Sequence, residues 1–289
     1  MSKCLKILLG PTGVGKTSLA IGWAKEIGCP ILSCDSRQIY REMVIGTAAP
    51  SLEEQEGVPH YFIGSHSIKD HYTAGSYELE ALALLDKLFQ SHDNVLMVGG
   101  SGLYIDAVCY GMDDFPPADL ALRAQLTERL ALEGIESLRF ELKRIDPKSY
   151  DQIDIKNRQR VVRALEVSLQ TGRPFSSFKS HTPKERPFKI VKEGLMRDRA
   201  ALYARIDARV DQMMERGLLK EAQSLWPYKE LPALRTVGYR ELFDYIDGKC
   251  SLETAILMIK QNSRHYAKRQ CAYWRRDVTI CWKNVDMFN

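Results

Sequence analysis

The sequence predicts an α/β protein: a parallel sheet covered by helices on both faces and interrupted by an inserted all-helical domain. Three observations predict it. Short apolar runs, Leu5–Leu9, Pro30–Cys34 and Asn94–Val98, alternate with helix-patterned stretches across residues 1–112, and strands without polar alternation belong to sheets buried on both sides. A glycine-rich turn joins the first run to the first helix. The texture then changes at Asp113-Asp114-Phe115-Pro116-Pro117, a linker by composition. The expected organisation is residues 1–112 as the first part of the core, 113–186 as the helical insertion and 187–289 as the second part of the core.

Taken in order, Leu5–Leu9 is a buried strand and Thr17–Ile27 a helix. Pro30–Cys34 is a second strand. Gly75–Gln90 is a helix whose Leu79, Leu82, Leu85 and Phe89 are spaced for one buried face. Asn94–Val98 is a third strand, ended by Gly99-Gly100. From Asp119 to about Ser168 the chain is helical and basic, closed by Thr171-Gly172-Arg173-Pro174. A polar, basic loop follows over Ser176–Arg186, Phe188–Leu195 returns to the sheet, and Arg199–Gly217, Thr236–Ile246 and Leu252–Arg275 are helices.

The 289 residues, 45% apolar and 27% charged, exclude a disordered chain and a coiled-coil rod, and the length suffices for a core without staples. No apolar run approaches the ~18 residues of a membrane span. Met1-Ser2-Lys3-Cys4 leads straight into a strand-like run, so no targeting peptide and a cytoplasmic location are expected. The seven cysteines form no C-x-x-C pair, which fits reduced thiols rather than a disulfide framework or a zinc site. The net charge of +4 decides nothing by itself; its distribution matters more.

Gly10-Pro11-Thr12-Gly13-Val14-Gly15-Lys16-Thr17 matches G-x-x-x-x-G-K-[ST], with a strand before it and a helix after it. Its glycines let the loop curl so that N–H groups point inward. Lys16 adds positive charge, Thr17 offers a hydroxyl to Mg²⁺, and the helix N-terminus adds its dipole. The core is therefore P-loop NTPase-like, and a di- or triphosphate is its expected ligand.

Asp35 follows the second strand. Strand ends of a parallel sheet open onto the crevice that holds the phosphates, so Asp35 is either a proton acceptor there or an ordinary turn aspartate. After Val95–Val98 the chain runs Gly99-Gly100-Ser101-Gly102, either a ligand-approach loop or a tight turn. It lacks the Mg²⁺-binding acid of motor-type ATPases, and no N-K-x-D motif appears. Arg199 extends the apolar stripe Leu202, Ile206, Val210 and Met213 by one step. On a buried side it needs an anion, either a diphosphate or a carboxylate partner. Basic residues gather at Lys156, Arg158, Arg160 and Arg163, and again with aromatics at Arg264, His265, Tyr266, Lys268, Arg269, Tyr273, Trp274, Arg275 and Arg276. Either group alone reads equally as a solvated helix face; together, beside a phosphate loop, they favour RNA.

These residues resemble the tRNA dimethylallyltransferase family, also called tRNA isopentenyltransferase. The resemblance runs nearly end to end: Gly10–Thr17, Asp35-Ser36-Arg37-Gln38-Ile39-Tyr40, Ile45-Gly46-Thr47-Ala48, Val58-Pro59-His60, Gly99–Tyr104, Gln159–Val167, Arg199–Met213 and Val237-Gly238-Tyr239-Arg240-Glu241. It implies transfer of a dimethylallyl group from dimethylallyl diphosphate to N6 of the adenine just 3′ of a tRNA anticodon. Gly10–Thr17 would hold the diphosphate, with Mg²⁺ on Thr17. Thr12, Lys16, Asp35 and Arg199 would be the catalytic set, Asp35 receiving the adenine amine. Asp35, Ser36, Arg37 and Gln38 would border the target base; Ser101, Arg123, Gln159, Arg160, Val161, Val162 and Arg163 would contact tRNA. The implied partners are the anticodon stem-loop and the prenyl donor, with no membrane and a monomeric enzyme.

This sequence departs from the family's pattern in three places. Ser101 stands where members commonly have threonine, Ala49 where lysine is frequent, and His60-Tyr61 where His-His is often seen. The absence of a C-terminal zinc finger implies the bacterial type. Two alternatives remain from the residues alone: a P-loop small-molecule or nucleoside kinase, and a non-catalytic RNA-binding protein switched by nucleotide.

Overall fold

Strand β1 (Cys4–Leu9) enters the glycine-rich turn, and helix α1 (Lys16–Ile27) leaves it. There follow β2 (Ile31–Ser33), β3 (His60–Tyr61), α2 (Ala74–Ser91), β4 (Asn94–Gly99) and α3 (Gly102–Tyr110). The computed structural model describes residues 3–179 and 182–287. The chain divides into two units, Met1–Tyr110 with Glu185–Asn289, and Gly111–Lys184.

The smaller unit holds α4 (Leu120–Glu133), α5 (Ile135–Ile145), α6 (Pro147–Gln152) and α7 (Arg158–Thr171). Gly134, at φ 79°, breaks α4 from α5, and Asp146 caps α6 by accepting from Ser149 N–H. Leu126, Leu138, Leu142, Val161, Val162 and Leu165 form its core. The expected loop over Ser176–Arg186 includes Ser180 and His181, which lie outside the described residues; the preceding stretch winds into a short 3-10 turn, Phe175–Phe178.

In the larger unit the chain resumes with β5 (Lys189–Met196), α8 (Arg199–Glu215), α9 (Leu218–Leu225), α10 (Tyr239–Ile246), α11 (Leu252–Trp274) and β6 (Cys281–Asn284). The six described strands lie in the order β3-β2-β4-β1-β5-β6, every pair parallel. β1 is central, with Leu9 opposite both Gly99 and Gly194. Alternate β1 side chains serve opposite faces. Leu5, Ile7 and Leu9 join α2 and α3 residues on one face, and Leu8 joins Val14, Ala20 and Ala24 with Ile206 of α8 on the other. That two-sided burial is why the strands read as continuous apolar runs. β3 and β6 escaped the sequence reading because one has two residues and the other carries Lys283 and Asn284.

α2 forms as expected, but its buried face differs. Tyr77, Ala81, Leu85 and Leu88 point inward, whereas Leu79 is 72% exposed. The phase is set by Tyr77, which stacks on Tyr104 at 4.4 Å and donates its hydroxyl to the Ser33 carbonyl at 3.0 Å. Turning that phenol to the core turns Leu79 to solvent.

Candidate active site

The C-terminal ends of β1, β2 and β4 bring three loops together. The first is Gly10–Lys16. Gly15 sits at φ 108°, a conformation that favours glycine, and ends the loop as the N-cap of α1. Lys16 Nζ donates to the carbonyls of Gly10 at 2.8 Å and Pro11 at 3.0 Å. Burial pulls its pKa down to about 8, opposed by the charge of Asp35 and aided by that of Arg209. An anionic ligand in the loop therefore holds Lys16 protonated and gains a full charge contact.

The second loop follows β2. Asp35 Oδ1 accepts the N–H groups of Arg37 at 2.8 Å and Gln38 at 3.3 Å. Asp35 is thus a turn aspartate that shapes its own loop with one oxygen, and the residue also lines the crevice. Gln38 is tied into the wall, donating to the carbonyls of Thr47 and Ala48 at 3.2 and 3.1 Å. Those carbonyls belong to a segment gripped by Glu221 of α9, whose carboxylate accepts from Val44, Ile45 and Gly46 N–H and from the Tyr239 hydroxyl.

The third loop follows β4. Gly99 packs so closely on Cys34 that a Cβ would lie 2.7 Å from its Sγ. Ser101 Oγ accepts the Ser36 N–H at 2.9 Å and donates to Ser36 Oγ at 3.1 Å. Burial, then the nearby Asp35 charge, pushes the Tyr266 phenol up to about 12, so it stays a protonated donor.

Two cavities open here. The first, about 310 Å³, is lined by Asp35, Ser36 and Arg37, by Tyr266, and by Arg209, Arg235, Arg240 and Arg269. The second, about 510 Å³, is lined by Thr12–Thr17 apart from Val14, by Gln38, Ala48 and Pro50, and by Arg205 and Arg209. Thr12, Asp35, Thr47, Arg209 and Met213 line both, so the two share a wall.

The structure places one member of the expected catalytic set outside both cavities. Arg199 begins α8, is exposed, lies over the Tyr203 ring at 5.3 Å and lines neither cavity. Helix geometry explains the difference: the stripe Leu202–Met213 runs under the phosphate loop, and Arg199 sits at the end of α8 away from it. Two arginines that the sequence reading passed over flank the same stripe further along. Arg205 Nε donates to the Gly13 carbonyl at 3.0 Å, and Arg209 donates to Thr12 Oγ1 at 2.5 Å. Arg209 Nε is buried with no hydrogen-bond acceptor among the described residues, a free donor that water or an anionic ligand can satisfy. Burial lowers the Arg209 pKa, opposed by Asp35. The missed signal is the pair of arginines four residues apart, each one position before a buried stripe residue.

Among the expected tRNA contacts, Asp35, Ser36 and Arg37 line the first cavity, Gln38 lines the second, and Ser101 holds Ser36. Val161 and Val162 are core residues of the helical unit, 0% and 7% exposed, so their side chains are not contact groups. Arg123 and Arg163 both pair with Glu166, whose side chain is fully buried. Gln159 and Arg160 are exposed on the first turn of α7. On α11, Trp274 is buried, Arg264 pairs with Asp207 and Tyr273 with Asp106, leaving Lys268, Arg269 and Arg275 exposed.

A parallel sheet with a phosphate loop, a carboxylate across from it and an adjoining arginine-rimmed cavity defines a P-loop group-transfer enzyme. The family model for IPP transferase matches residues 38–277, and the chain belongs to that family. It is 51% identical to a tRNA dimethylallyltransferase of Porphyromonas gingivalis over 96% of this chain and 93% of that protein. It is 49% identical to one of Bacteroides fragilis over 97% and 93%. Among solved structures, the full-length tRNA isopentenylpyrophosphate transferase of Bacillus halodurans superposes with TM-score 0.72 at 36% identity, covering 98% of this chain and 90% of that one. A eukaryotic dimethylallyltransferase described as acting on tRNA gives TM-score 0.80 at 25% identity, covering 98% and 74%.

Proposed function

We propose that the protein moves the dimethylallyl group of dimethylallyl diphosphate onto N6 of the adenine 3′ of a tRNA anticodon, in the cytoplasm and as a monomer. The observation that carries this reading is the shared wall: a phosphate-loop cavity and a base-sized, arginine-rimmed cavity meet at Thr12, Asp35 and Arg209.

The donor diphosphate lies in the second cavity against Lys16, Arg205 and Arg209. The acceptor adenine enters the first cavity, leaving the anticodon-loop stack at a cost of a few kcal/mol, least for a flexible loop. N6 attacks the allylic C1. The C1–O bond breaks with its electron pair leaving on diphosphate, and the N6 proton passes to the Asp35 carboxylate. Charge grows on the departing oxygens, and Lys16 and Arg209, which line that cavity, would stabilise it. Arg37, Arg235, Arg240 and Arg269 would meet the tRNA backbone, and Arg160 of the helical unit would add a further contact.

Thr17 suits Mg²⁺. Its hydroxyl stands in the first turn of α1, beside the second cavity, and no cluster of three His, Cys, Asp or Glu side chains exists among the described residues. Mg²⁺ held by one hydroxyl, diphosphate oxygens and water needs no such cluster. When bound it neutralises diphosphate charge.

The test is incubation with unmodified tRNA and dimethylallyl diphosphate labelled in the allyl carbons, beside a parallel reaction with labelled ATP. Label should enter RNA from the first alone. Asp35→Ala should lose transfer while still binding tRNA. Consumption of ATP on a small acceptor, with no label in RNA, would overturn the reading.

A further inference from the structure

Gln270 of α11 is 6% exposed and belongs to neither cavity lining. Its side chain nevertheless bridges two loops of the site. Oε1 accepts the Thr12 N–H at 2.8 Å, and Nε2 donates to the Gly100 carbonyl at 2.8 Å. One amide thus ties the phosphate loop to the glycine loop, 170 residues of chain separating Gln270 from Gly100. A Cβ at Gly100 would lie 2.2 Å from Nε2, so a side chain there must displace the Gln270 amide from its bridging position. This contact accounts for the second glycine of Gly99-Gly100, which backbone conformation alone does not require.

We propose that Gln270 is a positioning residue for the transfer reaction, setting the donor loop and the base-holding loop at a fixed separation. The inference rests on the function proposed above. Each end of the bridge leads to a reacting partner. At one end Thr12 carries, on Oγ1, the hydrogen bond from Arg209. At the other end Gly100 precedes Ser101, which fixes Ser36 of the Asp35 loop. One turn earlier on the same helix face, Tyr266 lines the first cavity. In-line displacement depends on the distance and angle between N6 and the allylic carbon, and a displacement of 1 Å between them can cost about 10²-fold in rate. Only a primary amide of this length supplies an acceptor to the Thr12 N–H and a donor to the Gly100 carbonyl at once. A carboxylate would set an oxygen against that carbonyl in place of the donor, and a thioether would supply no donor.

Because Gln270 touches neither ligand, its loss should appear in turnover rather than in binding. The experiment compares wild type with Gln270→Glu, Gln270→Met and Gly100→Ala in full-length protein. It measures kcat, the KM for dimethylallyl diphosphate, and tRNA binding by filter retention. Unfolding is followed alongside. The expected result is a kcat loss of about 10²-fold in each variant, with KM and tRNA affinity within about threefold of wild type. Gln270→Met combined with Gly100→Ala should be no worse than either alone, since both break one bridge. Unchanged kcat, or losses in KM and tRNA binding that match the kcat loss, overturns the proposal. If Gly100→Ala fails to fold, the two Gln270 variants decide. Absence of transfer in wild type would instead defeat the functional reading.

Discussion

Arg199 and Arg209 stand on one helix, and only the second reaches the phosphate loop. Their contrast shows how far a hydrophobic stripe can be extended. An apolar stripe fixes which face of α8 is buried, but not which end of that face meets the ligand. Arg209 donates to Thr12 and keeps a buried, unpaired Nε, so it is placed to meet charge that develops on the leaving group. Arg209→Ala should lower kcat by about 10²–10³-fold, the loss typical of one removed transition-state donor. Arg199→Ala should stay within about threefold of wild type, as an exposed cation over a tyrosine ring contributes little. Steady-state kinetics on the two variants check this directly, and a reversed order would return the catalytic role to the start of the helix.

At the level of elements, α4 and α7 carry two kinds of arginine that look alike in sequence. Arg123 Nε and Nη2 reach Glu166 at 2.8 and 2.7 Å, Arg163 reaches it at 2.8 Å, and the Asp119 N–H adds a fourth bond at 3.0 Å. These arginines neutralise a buried carboxylate and hold α4 to α7. Arg160, by contrast, is exposed, and its backbone N–H donates to Asn157 Oδ1. Arg123→Ala should therefore lower the stability of the helical unit by about 1–3 kcal/mol, because it strips a partner from a charge that water cannot reach. Arg160→Ala should unfold like wild type and instead weaken tRNA binding. Urea unfolding of both, with tRNA binding measured alongside, separates a structural arginine from an RNA-facing one. Identical unfolding curves for Arg123→Ala and wild type would remove the clasp from the argument.

For the whole molecule, the parallel sheet and the phosphate loop were legible because both are local. Apolar runs mark strands buried on two faces, and the loop's glycines, lysine and threonine are consecutive. Asp35 and Gly99–Ser101 were legible as strand-end residues for the same reason. Arg205, Gln270 and Glu221 were not, because their partners lie far off in sequence: 192, 258 and about 175 residues away. Only the fold brings them together, and nothing in their local pattern distinguishes them from helix-surface polar residues. The charge reading follows the same rule. A net charge of +4 is modest, yet five arginines and one acid line the first cavity. Attraction for a polyanion is thus concentrated at the cavity mouth rather than spread over the surface. Each phosphate neutralised on a single-stranded loop contributes about 0.7 to the slope of log affinity against log salt. Replacing Arg235, Arg240 and Arg269 together by alanine should therefore reduce that slope by about 2 while leaving the affinity for dimethylallyl diphosphate unchanged, since none of the three lines the phosphate-loop cavity. A salt titration of tRNA binding reads the first quantity and a donor titration the second. An unaltered slope would mean that the RNA approaches across another face and that the arginine rim serves the protein alone.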